Sequence, residues 1–139
     1  MLTSRTTSVI VGLLLLASFV LSAYYGINSV SAKPDKEFYL FTTEIAGVDE
    51  EKLKLPGDGF SIYTLVVNKG DNVTIHFYNV DPNVAELHSF TIDSPYSMDV
   101  SIAGGESKVV SFIADHEGIF QYYCKYHLPV MVGQLVVIS

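Results

Sequence analysis

From Lys33 to the carboxy terminus no stretch of this sequence sustains a helical period. Apolar residues instead alternate in short runs that turn signals interrupt. "EFYLFTTEIA" (37–46) predicts a first strand, and the acidic Gly/Pro-containing "GVDEEKLKLPGDG" predicts a connection. "SIYTLVV" and "NVTIHFYN" flank the turn "NKGD", and the second alternates Val73, Ile75 and Phe77. After the breaker Asp81-Pro82-Asn83 come "HSFTID", the turn Asp93-Ser94-Pro95, and the short strand candidate "YSMDVSI". Beyond Gly104-Gly105 follow "SKVVSFIAD", the turn "HEG", "IFQYYC", a loop, and "QLVVIS". Turns every ~8–12 residues predict an antiparallel β-sandwich or barrel. A chain of 139 residues has room for one such domain with its own core.

The amino terminus is of another kind. Val9 to Ile27 carries no charge, and as a helix it would reach ~28 Å, close to the hydrocarbon thickness of a bilayer. Arg5 precedes it while Lys33, Asp35, Lys36 and Glu37 follow, so the amino terminus is expected to stay cytoplasmic. Two readings are open. Val30-Ser31-Ala32 would serve as the cleavage site of a signal peptide, whereas an uncleaved membrane anchor accounts better for the length and for Tyr24 and Tyr25 at an interface. Either reading makes 1–32 an anchor or signal and 33–139 the exported domain, on the outer face of the cytoplasmic membrane. That domain holds seven lysines against all fifteen acids, a net charge of −8 with histidine neutral. Nucleic acid and anionic headgroups are poor partners for it, and a protein with a basic docking surface is the expected one.

An exported chain with one cysteine is unusual, because thiols outside the cytoplasm ordinarily pair. Cys124 shares a strand face with Phe120 and Tyr122, which points its sulfur at the core. The loop that follows carries His127 and Met131 before the chain re-enters a strand at Gly133. A thiolate, an imidazole and a thioether form a soft donor set suited to copper in both oxidation states, and a second histidine would complete a blue-copper site. Three histidines remain. His88 opens a strand directly after the "DPNVAEL" loop, where it can reach the end of a sandwich. His76 sits mid-strand opposite Ile75 and Phe77 and reads as solvated. His116 falls in a turn at the end remote from Cys124. Glu86, two residues before His88, reads as a solvated loop carboxylate, the alternative being that it reaches the metal or its water, and Met98 reads as core filler.

The region from Glu37 to Ser139 resembles the cupredoxins. The resemblance rests on "VVNKGDNVTIHFYN", on "HSFTI" and on "GIFQYYCKYHLPVMVGQLVV", and it covers nearly all of the exported part. It implies a Greek-key sandwich with His88, Cys124, His127 and Met131 as ligands of one copper per chain, and with Tyr123 facing outward beside the cysteine. Within the family the loop departs from plastocyanins and amicyanins, which have proline where this chain has Tyr126 and a different spacing between the last histidine and the methionine. Ser89 replaces the asparagine of plastocyanins, and Cys-Lys-Tyr-His is similar to nitrosocyanin, whose copper keeps a position for an external ligand. A dinuclear centre needs two bridging cysteines and is excluded by count.

The function these residues imply is single-electron transfer between redox proteins by a mononuclear copper. The alternative is an enzyme whose open axial position binds and converts a small molecule such as nitric oxide.

Overall fold

A computed structural model describes residues 35–139. The expectations for residues 9–27 and for cleavage after Ala32 lie outside them. Among the described residues no helix is long and apolar enough to cross a membrane.

The described residues form nine strands, of which eight follow the predicted runs while β2 arises within the predicted connection: β1 (Asp35–Glu44), β2 (Asp58–Phe60), β3 (Thr64–Asn68), β4 (Asn72–Tyr78), β5 (His88–Ile92), β6 (Met98–Ile102), β7 (Ser107–Ile113), β8 (Gly118–Tyr123) and β9 (Val132–Ile138). Between β1 and β2 the acidic connection winds one helical turn, α1 (Glu50–Leu53), which buries no residue. The Asp49 side chain caps it by accepting from the Lys52 amide, and Lys54 ends it in the left-handed region at φ 56°. A single turn of four residues has no apolar period to read, so the sequence gives no warning of it.

The strands form two sheets, in the orders β2-β1-β4-β7 and β3-β9-β8-β5-β6. Purely antiparallel pairing was expected, and here the structure corrects it. β1 runs parallel to β4, and β3 runs parallel to β9. The reason lies in the "NKGD" turn. It reads as a hairpin, yet β3 and β4 on either side of it belong to different sheets. Gly70 takes φ 84°, Asp71 accepts from the Asn68 amide at 2.8 Å, and the Gly70 amide bonds Ala114. The turn thus carries the chain across the sandwich, and each strand must then pair with partners distant in sequence.

The alternation seen in the sequence fills the space between the sheets. Leu40, Val73, Ile75 and Phe77 from one sheet face Leu65, Phe90, Tyr122 and Leu135 from the other. Phe60, Phe77, Phe90 and Tyr122 contact one another through their rings, at 5.1 to 6.2 Å between centroids. Such contacts add to the burial that holds the sheets together. Every residue of β5 is buried. The strand that presents His88 is therefore enclosed along its whole length.

Candidate metal centre

Three elements converge at one end of the sandwich. His88 is the first residue of β5, Cys124 directly follows β8, and Met131 directly precedes β9. His127 lies in the loop between. That loop is tied by its own backbone: the Cys124 amide donates to Met131 O at 3.0 Å, and the Met131 amide donates to His127 O at 3.0 Å. The β8–β9 register continues beneath it, where Tyr122 pairs with Gly133. A β-carbon added at Gly133 would stand 2.3 Å from Tyr122 Cζ, so glycine is required for the ring to lie across the strand. The Tyr122 hydroxyl donates to Ile62 O, and burial holds this phenol well above the usual tyrosine range.

The predicted ligand atoms come together. One donor atom each from His88, Cys124 and His127 lie within 4.8 Å of one another. Cys124 Sγ is 3.4 Å from His127 Nδ1 and 3.9 Å from His88 Nδ1. Met131 Sδ stands 3.3 Å from His88 Nδ1. His88, Cys124 and Met131 are buried, and only the His127 side chain reaches the surface, at 12% exposure. Two imidazole nitrogens, a thiol and a thioether in one enclosed space could hold a soft transition metal, and copper suits this set in both oxidation states. Burial and the neighbouring His127 lower the basicity of His88 against the pull of Asp58 and Glu86, which keeps a ring lone pair free for a metal.

Around the sulfur the chain is stiffly bonded. The Ser89 amide donates to Cys124 Sγ at 3.2 Å, and the Lys125 amide donates to Ser89 Oγ at 2.9 Å. Ser89 Oγ is also 3.0 Å from Thr91 Oγ1, which donates to Asp99, and Asp99 takes Lys125 Nζ at 2.7 Å. Ser89 thus supplies the acceptor that joins the β5 corner to the ligand loop. Tyr123 is partly exposed and bonds Asp93.

The other sequence expectations can be located as well. His76 stacks on Tyr39 and meets Glu37 at 3.5 Å, while His116 is exposed beside Asp115. Neither approaches the cluster of ligand atoms. Met98 packs against the core. Glu86 requires a correction: it is not merely a solvated loop carboxylate, because its Oε1 lies 3.0 Å from His127 Nε2. Asp58, which the sequence did not single out, lies 3.7 Å from His88 Nε2 and 3.6 Å from His127 Nε2. Burial raises the Asp58 carboxyl above its ordinary range, against the opposing pull of His127 and His88. A cavity of about 690 Å³ opens at this edge, lined by Glu44, Glu50, Asp58, Asp81, Glu86 and His127 among others.

Comparison with known proteins agrees with this geometry. The family model for the cupredoxin-like domain matches residues 20–137. Nitrous-oxide reductase of Stutzerimonas stutzeri is 28% identical over 83 residues, 56% of this chain, and the match spans only 13% of that enzyme's length. Among solved structures, the Cu-containing nitrite reductase from Thermus scotoductus SA-01 aligns with a TM-score of 0.61 at 27% identity, covering 76% of this chain and 28% of that one. Auracyanin A, a "blue" copper protein from Chloroflexus aurantiacus, aligns at 0.53 and 20% identity, covering 75% of this chain and 99% of that one. The last is a likeness of fold.

Proposed function

The chain belongs to the cupredoxin-like domain family, with copper as its cofactor, and from that premise we propose that it carries single electrons between redox proteins. In this reading His88, Cys124, His127 and Met131 hold one copper. The carrying observation is the meeting of the two Nδ1 atoms, the thiol and the thioether in one buried space. Copper supplies a one-electron couple that such a mixed donor set leaves poised between two oxidation states. The residues of this chain do the rest. β5 and the tied loop hold the donors so that little has to move, and burial excludes water.

Several features support the carrier. Met131 is fully buried against His88, which leaves a small molecule little room to coordinate. Auracyanin A, 99% of which aligns with 75% of this chain, is a "blue" copper protein. The acidic cavity beside His127 and the net charge favour a cationic redox partner that electrostatic steering brings to this end. As an uncleaved anchor, residues 9–27 would keep the carrier on the outer face of the cytoplasmic membrane, whereas cleavage after Ala32 would release it as a secreted protein.

The second reading is an enzyme that converts a small nitrogen oxide. It draws on the likeness to nitrous-oxide and nitrite reductases, of which this chain spans 13% and 28% respectively. Titrating the oxidised, copper-loaded protein with azide and with nitric oxide separates the two. The carrier reading expects an unchanged spectrum. A saturable spectral shift would sink it in favour of the enzyme.

A further inference from the structure

The two ring nitrogens of each histidine face different surroundings. The Nδ1 atoms of His88 and His127 turn toward Cys124 Sγ, while the Nε2 atoms turn toward carboxylates. A neutral imidazole has a single N–H, and the nitrogen that carries it cannot offer a lone pair to a metal. An ionised carboxylate only accepts. With Glu86 Oε1 3.0 Å from His127 Nε2, the proton belongs on Nε2 and the lone pair on the inward Nδ1. Asp58 acts at longer range and on both rings, one oxygen 3.7 Å from His88 Nε2 and the other 3.6 Å from His127 Nε2.

Both carboxylates are held by the fold. The backbone carbonyl of Glu86 accepts from the buried Asn79 side chain at 2.9 Å, and its amide donates to Asn83 O at 3.0 Å. Asp58 pairs with Glu44 at the edge of the first sheet, and the Gly57 amide before it is bound by Glu50. Neither group belongs to the β8–β9 loop or to β5. Glu86 reaches the histidines from the loop before β5 and Asp58 from the start of β2, and both line the acidic cavity.

We propose that Glu86 is a positioning residue for the metal centre: it fixes the tautomer and ring plane of His127, and Asp58 reinforces it across both histidines. This rests on the assignment of His88 and His127 as ligands. A carboxylate acceptor on the far nitrogen makes an imidazole a more basic donor, which favours the cupric over the cuprous state.

The test uses the copper-loaded full chain and the variants Glu86→Ala, Glu86→Gln and, as an exposed control on α1, Glu51→Gln. Loss of such a partner weakens metal binding by ~10–100-fold. If the loss falls on the cupric state, the potential rises by about 60–120 mV, since a tenfold change in a one-electron ratio is 59 mV. Glu86→Gln keeps an acceptor oxygen and should recover at least half of both effects, and Glu51→Gln should change neither. In the copper-free protein, ¹⁵N imidazole shifts should place the His127 proton on Nε2 in the wild type and in Glu86→Gln, and as a mixture of tautomers in Glu86→Ala. A thiolate-coloured wild type whose Glu86→Ala variant keeps its affinity within twofold, its potential and its tautomer would overturn this inference alone. A copper-loaded wild type without that colour would overturn the ligand assignment, and this inference with it.

Discussion

Asn79 ties the loop that bears Glu86 and leads into His88 to both sheets, and its replacement tests how the site is braced. The residue is 2% exposed. Its Nδ2 donates to Glu86 O at 2.9 Å and to Ile102 O at 3.4 Å, while its Oδ1 accepts from the Asp81 amide at 3.1 Å and from Thr42 Oγ1 at 3.3 Å. A net hydrogen bond is worth ~1 kcal/mol, so the two shorter bonds count in full and the two longer ones together for about one more. Asn79→Ala should therefore cost ~2–3 kcal/mol, a fall of roughly 10–20 °C in Tm for a domain of this size. Asn79→Asp keeps the volume but turns an acceptor toward the Glu86 and Ile102 carbonyls, and it should cost more than alanine. Chemical denaturation of the copper-free protein, with the slope checked for constancy, measures both. An aspartate variant more stable than the alanine variant, or an alanine cost below 1 kcal/mol, would mean that packing rather than hydrogen bonding holds this corner.

Met131→Leu conserves volume, so stability should change by less than ~1.5 kcal/mol while the potential rises through loss of a donor, as voltammetry would record. With a cationic redox partner the association rate should fall steeply as salt rises, given the net charge of residues 33–139, and a stopped-flow rate indifferent to salt would refute the acidic docking face. The hydrogen bond from Lys125 holds the Asp99 carboxyl below its ordinary 3.8, against the opposing effect of burial and with further help from Thr91. Its stabilisation is accordingly present above pH 3.8 and lost as pH falls through the lower folded value. Asp99→Asn should lower Tm slightly at pH 7, the pair being exposed, and the gap should close in strong acid.

Eight of the nine strands and the gathering of the candidate ligand atoms were legible in the sequence because both are written locally. Alternation in "NVTIHFYN" marks a face, and a cysteine, a histidine and a methionine on one loop share a destination whatever the rest of the chain does. His88 could be chosen over His76 and His116 because its place after a loop breaker set it at a sandwich end. The parallel pairs β1–β4 and β3–β9 were not legible, since strand direction depends on which sheet each run joins, and the turn at Gly70 looks the same whether it closes a hairpin or crosses the sandwich. Asp58, and the contact of Glu86 with His127, escaped for a related reason. A lone acid on a polar loop resembles any solvated acid, and only the folded backbone reveals a histidine 41 residues from Glu86 in sequence lying 3.0 Å away. "DPNVAEL" did hold a signal of sorts, an acid two residues before the candidate ligand His88, but its closest histidine contact is with His127.

The central claim is that Cys124 binds copper as the thiolate, together with two histidines. It is tested most directly by the optical and electron-paramagnetic-resonance spectra of the copper-loaded wild type beside Cys124→Ser. The account predicts one copper per wild-type chain with intense thiolate-to-copper charge-transfer absorption, and no such band in the serine variant. A serine variant that keeps the band, or a wild type that binds copper without it, would contradict the account.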